Sequence, residues 1–525
     1  MSQLQEEMAG GSLGRPTQGE TAVKSGHPKG LYLLFFTEMW ERFSYYGMRA
    51  IFVLFMIKEL IFSDQRSSEI YGSYTGLVYL TPLLGGYLSD RYLGNRRSII
   101  SGGVLMAIGQ FLMFVSASMA DGQGGGVTMM WAGLTFLIVG NGFFKPNIST
   151  MVGQLYPKGD SRVDSAFTIF YMGINLGAFF SPLICGALAE NIDYRWGFLA
   201  ACIGMIMGLI TFIVMKDKLL VNQEDGHPIG LQVKKLDAAS IGMILGSIAL
   251  IFFLLNFRTL FNSDLDVIGY LIYGAMVIVP ITILSDKSIT KEERSRIWVI
   301  FILVFFVIFF WSAFEQAGAS LTIFAERQTD RQIFDWTMPA SWFQSVNPLA
   351  IIVLAPLFSW LWGWLSKRHR EPASPLKMAI GLTLLCLGYV VIAFAVKGVD
   401  SQAKVAMWWL IALYVLHTMG ELCLSPIGLS MVSKLSPLRF SSLLMGTWFL
   451  ANAAANKLAG TLSALIPPGM GESAAPVNVV YPSILGFKIE NLYDFFMVFI
   501  VMTGVAAIIL YLLSGTLLKM MKGIR

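Results

Sequence analysis

The sequence predicts an all-α polytopic membrane protein, and three observations carry that reading. Of its 525 residues, 55% are hydrophobic and only 14% charged, against about 25% charged in a soluble domain. Too few charges remain to clothe a water-facing surface of this size, and the mean hydropathy is +0.64. The apolar residues come in long blocks, clearest from Trp298 to Phe310 and from Phe495 to Leu513, the mark of membrane spans. Basic residues collect in the short stretches between the blocks.

Along the chain, residues 1–30 are polar and rich in Gly, Ser and Glu. They lack the apolar core of a signal peptide and read as a disordered cytoplasmic tail. Spans follow near 31–60, 70–90, 97–117, 127–152, 166–190, 195–215, 238–256, 265–285, 297–324, 343–366, 376–396, 405–432, 441–465 and 491–519, fourteen transmembrane helices in all. Residues 520–525 form a second short tail. An even number of spans puts both ends on one side. Of the 38 Lys and Arg, 25 fall on that side, eight on the other and five inside helices. The positive-inside rule then places both termini in the cytoplasm of a cell (inner) membrane. The net charge of +5 is scattered over loops and makes no nucleic-acid face. Cys185, Cys202, Cys386 and Cys423 sit far apart in apolar segments and read as packing residues. Fifty-one glycines suit closely packed helices.

The chain carries an internal repeat. Gly86-Tyr87-Leu88-Ser89-Asp90-Arg91 ends the second span, and Gly363-Trp364-Leu365-Ser366-Lys367-Arg368 ends the tenth, 277 residues on. Gly140, Lys145-Pro146 and Met151-Val152 match Gly420, Ser425-Pro426 and Met431-Val432 at an offset of 280. Both pairs run in the same direction, which is the architecture of the major facilitator superfamily, two parallel six-helix bundles. The predicted division is 31–215 for the N-terminal bundle, 297–519 for the C-terminal bundle, and 216–296 for a linker holding an inserted transmembrane hairpin. Lys367 stands where the first copy has Asp90, so the two loops are not expected to act symmetrically.

An ionisable residue deep in a span costs roughly 2.5–3.5 kcal/mol on insertion scales and needs a partner or a task. The first span holds Glu38, Glu41, Arg42, Tyr45, Tyr46 and Arg49, and five of these share a helical face. Lys145 lies in the fourth span beside Pro146, Glu315 in the ninth, and Glu421 in the twelfth just before Ser425-Pro426. Asn175 and Asn347-Pro348 add neutral amides. Glu41 with Arg42, and Lys145 with Glu315, can also be read as static buried pairs, since breaking such a pair is costly while forming it gains little. Against this, the charges occur in both halves and next to Pro and Gly, where interrupted helices line binding sites. His417 reads as a packing residue. Tyr74 and Tyr79 read equally as packing or wall aromatics. Asp90, Arg91, Arg96 and Arg97 at a helix end suit gating or topology.

Cations on one side and carboxylates on the other suit a zwitterion, with Arg able to grip a carboxylate bidentately. No Walker loop, nucleophile–base pair or metal-ligand cluster is legible, so an enzyme, an ATP-driven pump and a metal or organic cofactor are not expected. The remaining readings are the same scaffold moving another small anion or a peptide-like drug, or a non-transporting nutrient sensor.

Glu38-Met39-Trp40-Glu41-Arg42-Phe43-Ser44-Tyr45-Tyr46-Gly47 resembles the first-helix signature of the proton-coupled oligopeptide transporter (POT/PTR) family, bacterial type. So do Phe143-Phe144-Lys145-Pro146-Asn147, Asp164-Ser165-Ala166-Phe167, Phe170-Tyr171-Met172-Gly173-Ile174-Asn175-Leu176-Gly177, Phe314-Glu315-Gln316-Ala317-Gly318, Phe343-Gln344-Ser345-Val346-Asn347-Pro348 and Gly420-Glu421-Leu422-Cys423-Leu424-Ser425-Pro426. The resemblance implies proton-coupled symport of di- and tripeptides by alternating access, with peptides, protons and membrane lipid as partners. It also implies site roles. Arg42, Lys145 and Tyr46 would hold the peptide carboxylate; Asn175, Asn347 and Glu421 the amine; Tyr45, Tyr79, Ser425 and Trp448 would line the pocket. Glu38 and Glu41 beside Arg42 would couple protons. Arg49, Lys145 and Glu315 would form an exchangeable bridge between the halves.

Overall fold

The computed structural model describes residues 26–119, 124–157, 159–222, 226–231, 238–399, 403–468 and 480–523. The expected disordered tail lies, up to residue 25, outside the described residues, as do Lys158, Lys234 and Lys235.

The first six helices are α1 (Lys29–Lys58), α2 (Asp64–Leu88), α3 (Asn95–Ser118), α4 (Gly125–Gln154), α5 (Val163–Asn191) and α6 (Tyr194–Leu219). The hairpin is α7 (Ala238–Phe261) and α8 (Val267–Leu284). Then come α9 (Lys291–Phe314), the short α10 (Ser320–Gln328), α11 (Val346–Lys367), α12 (Ser374–Val396), α13 (Met407–Leu435), α14 (Ser441–Ser463) and α15 (Leu492–Met520). Each expected span has its helix, α9 and α10 together making the ninth. Among the described residues, eleven spans are long and apolar enough to cross a membrane. The exceptions, α1, α2 and α14, fall short of that hydropathy; α1 and α14 carry buried charges, and α2 packs against α14 of the other half.

Several boundaries differ from expectation because polar residues continue the helices. Asp64 and Arg66 open α2, where the Ser63 hydroxyl accepts from Arg66 N at 3.2 Å and caps the helix. Arg258 lies inside α7 rather than in a loop. The second span runs on as a π-turn, Ser89–Leu93. Lys145-Pro146 and Ser425-Pro426, read from sequence as helix breaks, lie within continuous helices. In a packed membrane bundle neighbouring helices hold the chain through such prolines. The break falls instead at Glu315–Gly318, a 3₁₀ turn between α9 and α10.

Close approach of small residues packs the helices. A Cβ on Gly102 would come within 2.6 Å of the Gly140 carbonyl, and one on Gly72 within 2.6 Å of Gly460 Cα. The first contact fastens α3 to α4. The second presses α2 of the first half onto α14 of the second. The start of α9 and the end of α15 share one face: Ser295 Oγ, in the first turns of α9, donates to the Met520 carbonyl at 3.0 Å. The halves are joined at the opposite face. There Lys58 pairs with Glu326 at 2.5 Å, Asp64 with Arg327 at 2.5 Å, and Glu190 with Arg331 at 3.7 Å. Glu190 also accepts from the Ala340 and Ser341 amides at 2.6 and 2.9 Å, fixing the end of α5 to the turn that leads into α11.

Candidate functional site

A cavity of about 310 Å³ lies between the halves, lined from α1, α2, α4 and α5 on one side and α9, α11, α13 and α14 on the other. Its charges are segregated. The first half contributes Arg49 and Lys145, the second Glu315 and Glu421. Arg49 Nη2 pairs with Glu315, and Arg49 Nε donates to Tyr71 Oη at 2.6 Å. The α9–α10 break is what presents Glu315: the chain turns there, so the carboxylate meets α1 from across the molecule.

With Arg49 and Glu315 paired, Lys145 and Glu421 remain as opposite charges on facing walls. The Lys145 ammonium lies 4.3 Å from the Tyr79 ring centroid, a cation–π contact, and among the described residues it forms no ion pair. The sequence allowed a static Lys145–Glu315 bridge; the structure puts Arg49 on Glu315 instead. Glu421 Oε2 accepts from Asn347 Nδ2 at 2.9 Å, and the same amide donates to Thr418 Oγ1 at 3.0 Å. Asn175 donates to the Tyr171 carbonyl at 2.9 Å and lines the same wall as Tyr46. Ser425 and Trp448 also line the cavity.

Four of the expected residues lie behind that wall. Glu38, Glu41, Arg42 and Tyr45 are buried within the first half and do not line the cavity. Arg42 Nε is 2.8 Å from Glu38 Oε1 and 2.9 Å from Glu41 Oε2. Glu41 Oε1 accepts from Asn141 Nδ2 at 3.1 Å. One guanidinium therefore faces two carboxylates, and among the described residues Glu38 Oε2 and Glu41 Oε2 are both buried without a hydrogen-bond donor. A proton added to either carboxyl leaves the cluster neutral. The cover is local: α5 comes so close to α1 at Gly177 that a Cβ there would be 2.9 Å from Arg42 Cβ.

Sequence reasoning passed over Tyr171, Trp311, Gln344, Tyr414 and Asn452, which line the cavity. Helical spacing held the signal. Tyr171 precedes Asn175 by four residues, Trp311 precedes Glu315 by four, and Asn452 follows Trp448 by four, so each shares a face with a residue already singled out. His417 packs on Tyr389 with ring centroids 4.9 Å apart and also borders the cavity.

The model of the POT family matches residues 96–475. An uncharacterized transporter, YclF, from Bacillus subtilis is 38% identical over 84% of this chain and 88% of its own. A di-/tripeptide transporter from Lactococcus lactis subsp. cremoris is 30% identical over 95% and 98%. The crystal structure of a mutant peptide transporter POT in complex with alafosfalin superposes with a TM-score of 0.79 at 33% identity, covering 95% of this chain and 97% of that one.

Proposed function

The chain belongs to the POT family, and from that premise we propose that it carries di- and tripeptides into the cell by proton-coupled symport. The observation that supports this best is the segregation of charge in the cavity. Once Arg49 and Glu315 pair, the cavity presents one cation, Lys145, and one carboxylate, Glu421, on facing walls. A zwitterion bridging them satisfies both, its carboxylate on Lys145 and its ammonium on Glu421 and the amides of Asn175 and Asn347. Tyr46, Tyr79 and Trp448 supply apolar wall for side chains, and Ser425 a hydroxyl. About 310 Å³ is small-ligand scale.

Arg42 holds its place through Glu38 and Glu41 and acts on the peptide through Lys145's side of the cavity. The Glu38–Arg42–Glu41 cluster takes the driving proton. Protonation of Glu315 releases Arg49, and the halves then rock about the cavity. With both termini cytoplasmic, the joined face is the outer one, and the structure is the outward-closed state of the cycle. ATP has no part in such a step.

Purified protein in liposomes should concentrate dialanine only when the outside is acidic or the inside is negative. Accumulation of the same size with protonophore present would overturn the proton-driven reading. Absence of any dipeptide exchange would overturn the substrate.

A further inference from the structure

Lys457 is a buried cation in α14 that the cavity does not use. Its ammonium lies 2.9 Å from Ser73 Oγ on α2 and 2.9 Å from Asp266 Oδ2, the residue that opens α8. A single group thus joins the first half, the second half and the inserted hairpin. The Asp266 carboxylate is held in place, since its other oxygen accepts from Gly269 N at 3.0 Å as the N-cap of α8. The hairpin's other arm reaches the first half: Arg258 Nη1 on α7 is 2.7 Å from Glu69 Oε2 on α2.

The packing around this cluster is tight where the halves meet. A Cβ on Gly76 would touch Ile272 of α8 at 3.1 Å, and Ala453 and Lys457 of α14 at 3.2 and 3.3 Å. Toward the joined face, Gly72 abuts Gly460, and Ser68 Oγ lies 2.9 Å from Ser463 Oγ. An open cavity of about 800 Å³ borders the cluster, lined by Asp64, Glu69, Arg258, Asp266, Arg327 and Lys457.

We propose that Lys457 is a positioning residue of the transport cycle, and that the inserted hairpin is a latch that works through it: Asp266 fastens the hairpin to the second half, Arg258 fastens it to the first, and together they hold the outer face closed. This rests on the reading of the chain as an alternating-access carrier. Opening the outer face draws α2 away from α14. The hairpin can follow either half, but then the Asp266–Lys457 pair or the Arg258–Glu69 pair must part. The latch therefore biases the resting carrier toward the closed outer face, and weakening either arm shifts the population outward.

The test measures access to the outer face with neither peptide nor gradient, so its outcome does not depend on the substrate. Ser463 is fully buried against Ser68. A Ser463→Cys chain in liposomes is labelled with a membrane-impermeant maleimide, with the chain lacking that substitution as blank. Asp266→Asn keeps the cap acceptor and removes the ion pair; Glu69→Gln unties the other arm. Both should label about 5- to 150-fold faster, the usual range of coupling between two elements. Glu293→Gln, which unties Arg439 at the opposite face (2.9 Å), should label at the parent rate. Lys457→Met, which keeps the apolar stem without the charge, is read alongside in case one variant is recovered misfolded. Parent-rate labelling in the folded Asp266→Asn, Glu69→Gln and Lys457→Met proteins would overturn the latch.

Discussion

Lys145→Ala is expected to lower affinity for a free-carboxylate dipeptide by about 2–5 kcal/mol, roughly 30- to 4,000-fold, the cost of stranding one partner of a buried charge pair. The basis is the position of its ammonium, which faces the cavity over Tyr79 without an ion pair of its own among the described residues. A dipeptide amide should bind wild type weakly and lose little more in the variant. Isothermal titration with both ligands separates the terms. Equal loss for the two would make Lys145 a structural cation. Arg42→Ala makes the contrast. It strips the partner from two buried carboxylates at once, so it should cost roughly 3–5 kcal/mol of stability and weaken both ligands through the fold. From the sequence alone Arg42, with Lys145 and Tyr46, was expected to hold the peptide carboxylate; in the structure Arg42 is buried against Glu38 and Glu41, while Lys145 and Tyr46 line the cavity.

What was legible in the sequence follows from what a membrane makes expensive. A charge inside a span is visible in any reading because it needs a partner, and so Arg49, Lys145, Glu315 and Glu421 stood out and do meet at one cavity. The repeat gave the two halves for a similar reason: segments with the same direction imply the same bundle twice. What was not legible depends on neighbours. Periodicity places Glu38, Arg42, Tyr45 and Arg49 on one side of α1, but the neighbours separate them: α5 closes on α1 at Gly177 and Arg42 turns onto Glu38 and Glu41, while Arg49 lines the cavity. Proline was a poor guide to breaks, because α4 and α13 continue through Pro146 and Pro426, whereas the turn at Glu315 has no proline. Arg258 read as a loop charge, Asp266 fell unremarked at the start of a span, and Lys457 was counted among five basic residues inside helices without a task of its own. Their meeting depends on how the hairpin leans against α2 and α14, which no local pattern encodes.

Glu41→Gln should stop gradient-driven uptake and leave counterflow largely intact. Counterflow exchanges labelled for unlabelled peptide without net proton movement, so it needs binding and rocking but no titrating group. Two carboxylates hold Arg42, and this decides what the substitution removes. With Gln at 41, Glu38 still pairs with Arg42 at 2.8 Å, so no buried cation is stranded. Gln keeps a carbonyl acceptor for the Asn141 amide or for Arg42 but has no proton to exchange. The cluster then holds one cation and one anion, balanced whether or not a gradient is applied. The double variant Glu38→Gln/Glu41→Gln differs in kind. It leaves Arg42 buried without a counter-charge, at roughly 3–5 kcal/mol, and should lose uptake, counterflow and melting temperature together. A stable Glu41→Gln protein that still concentrates dialanine against its gradient would take Glu41 out of the proton path and leave Glu38, the other carboxylate on Arg42, as the carboxyl to test next.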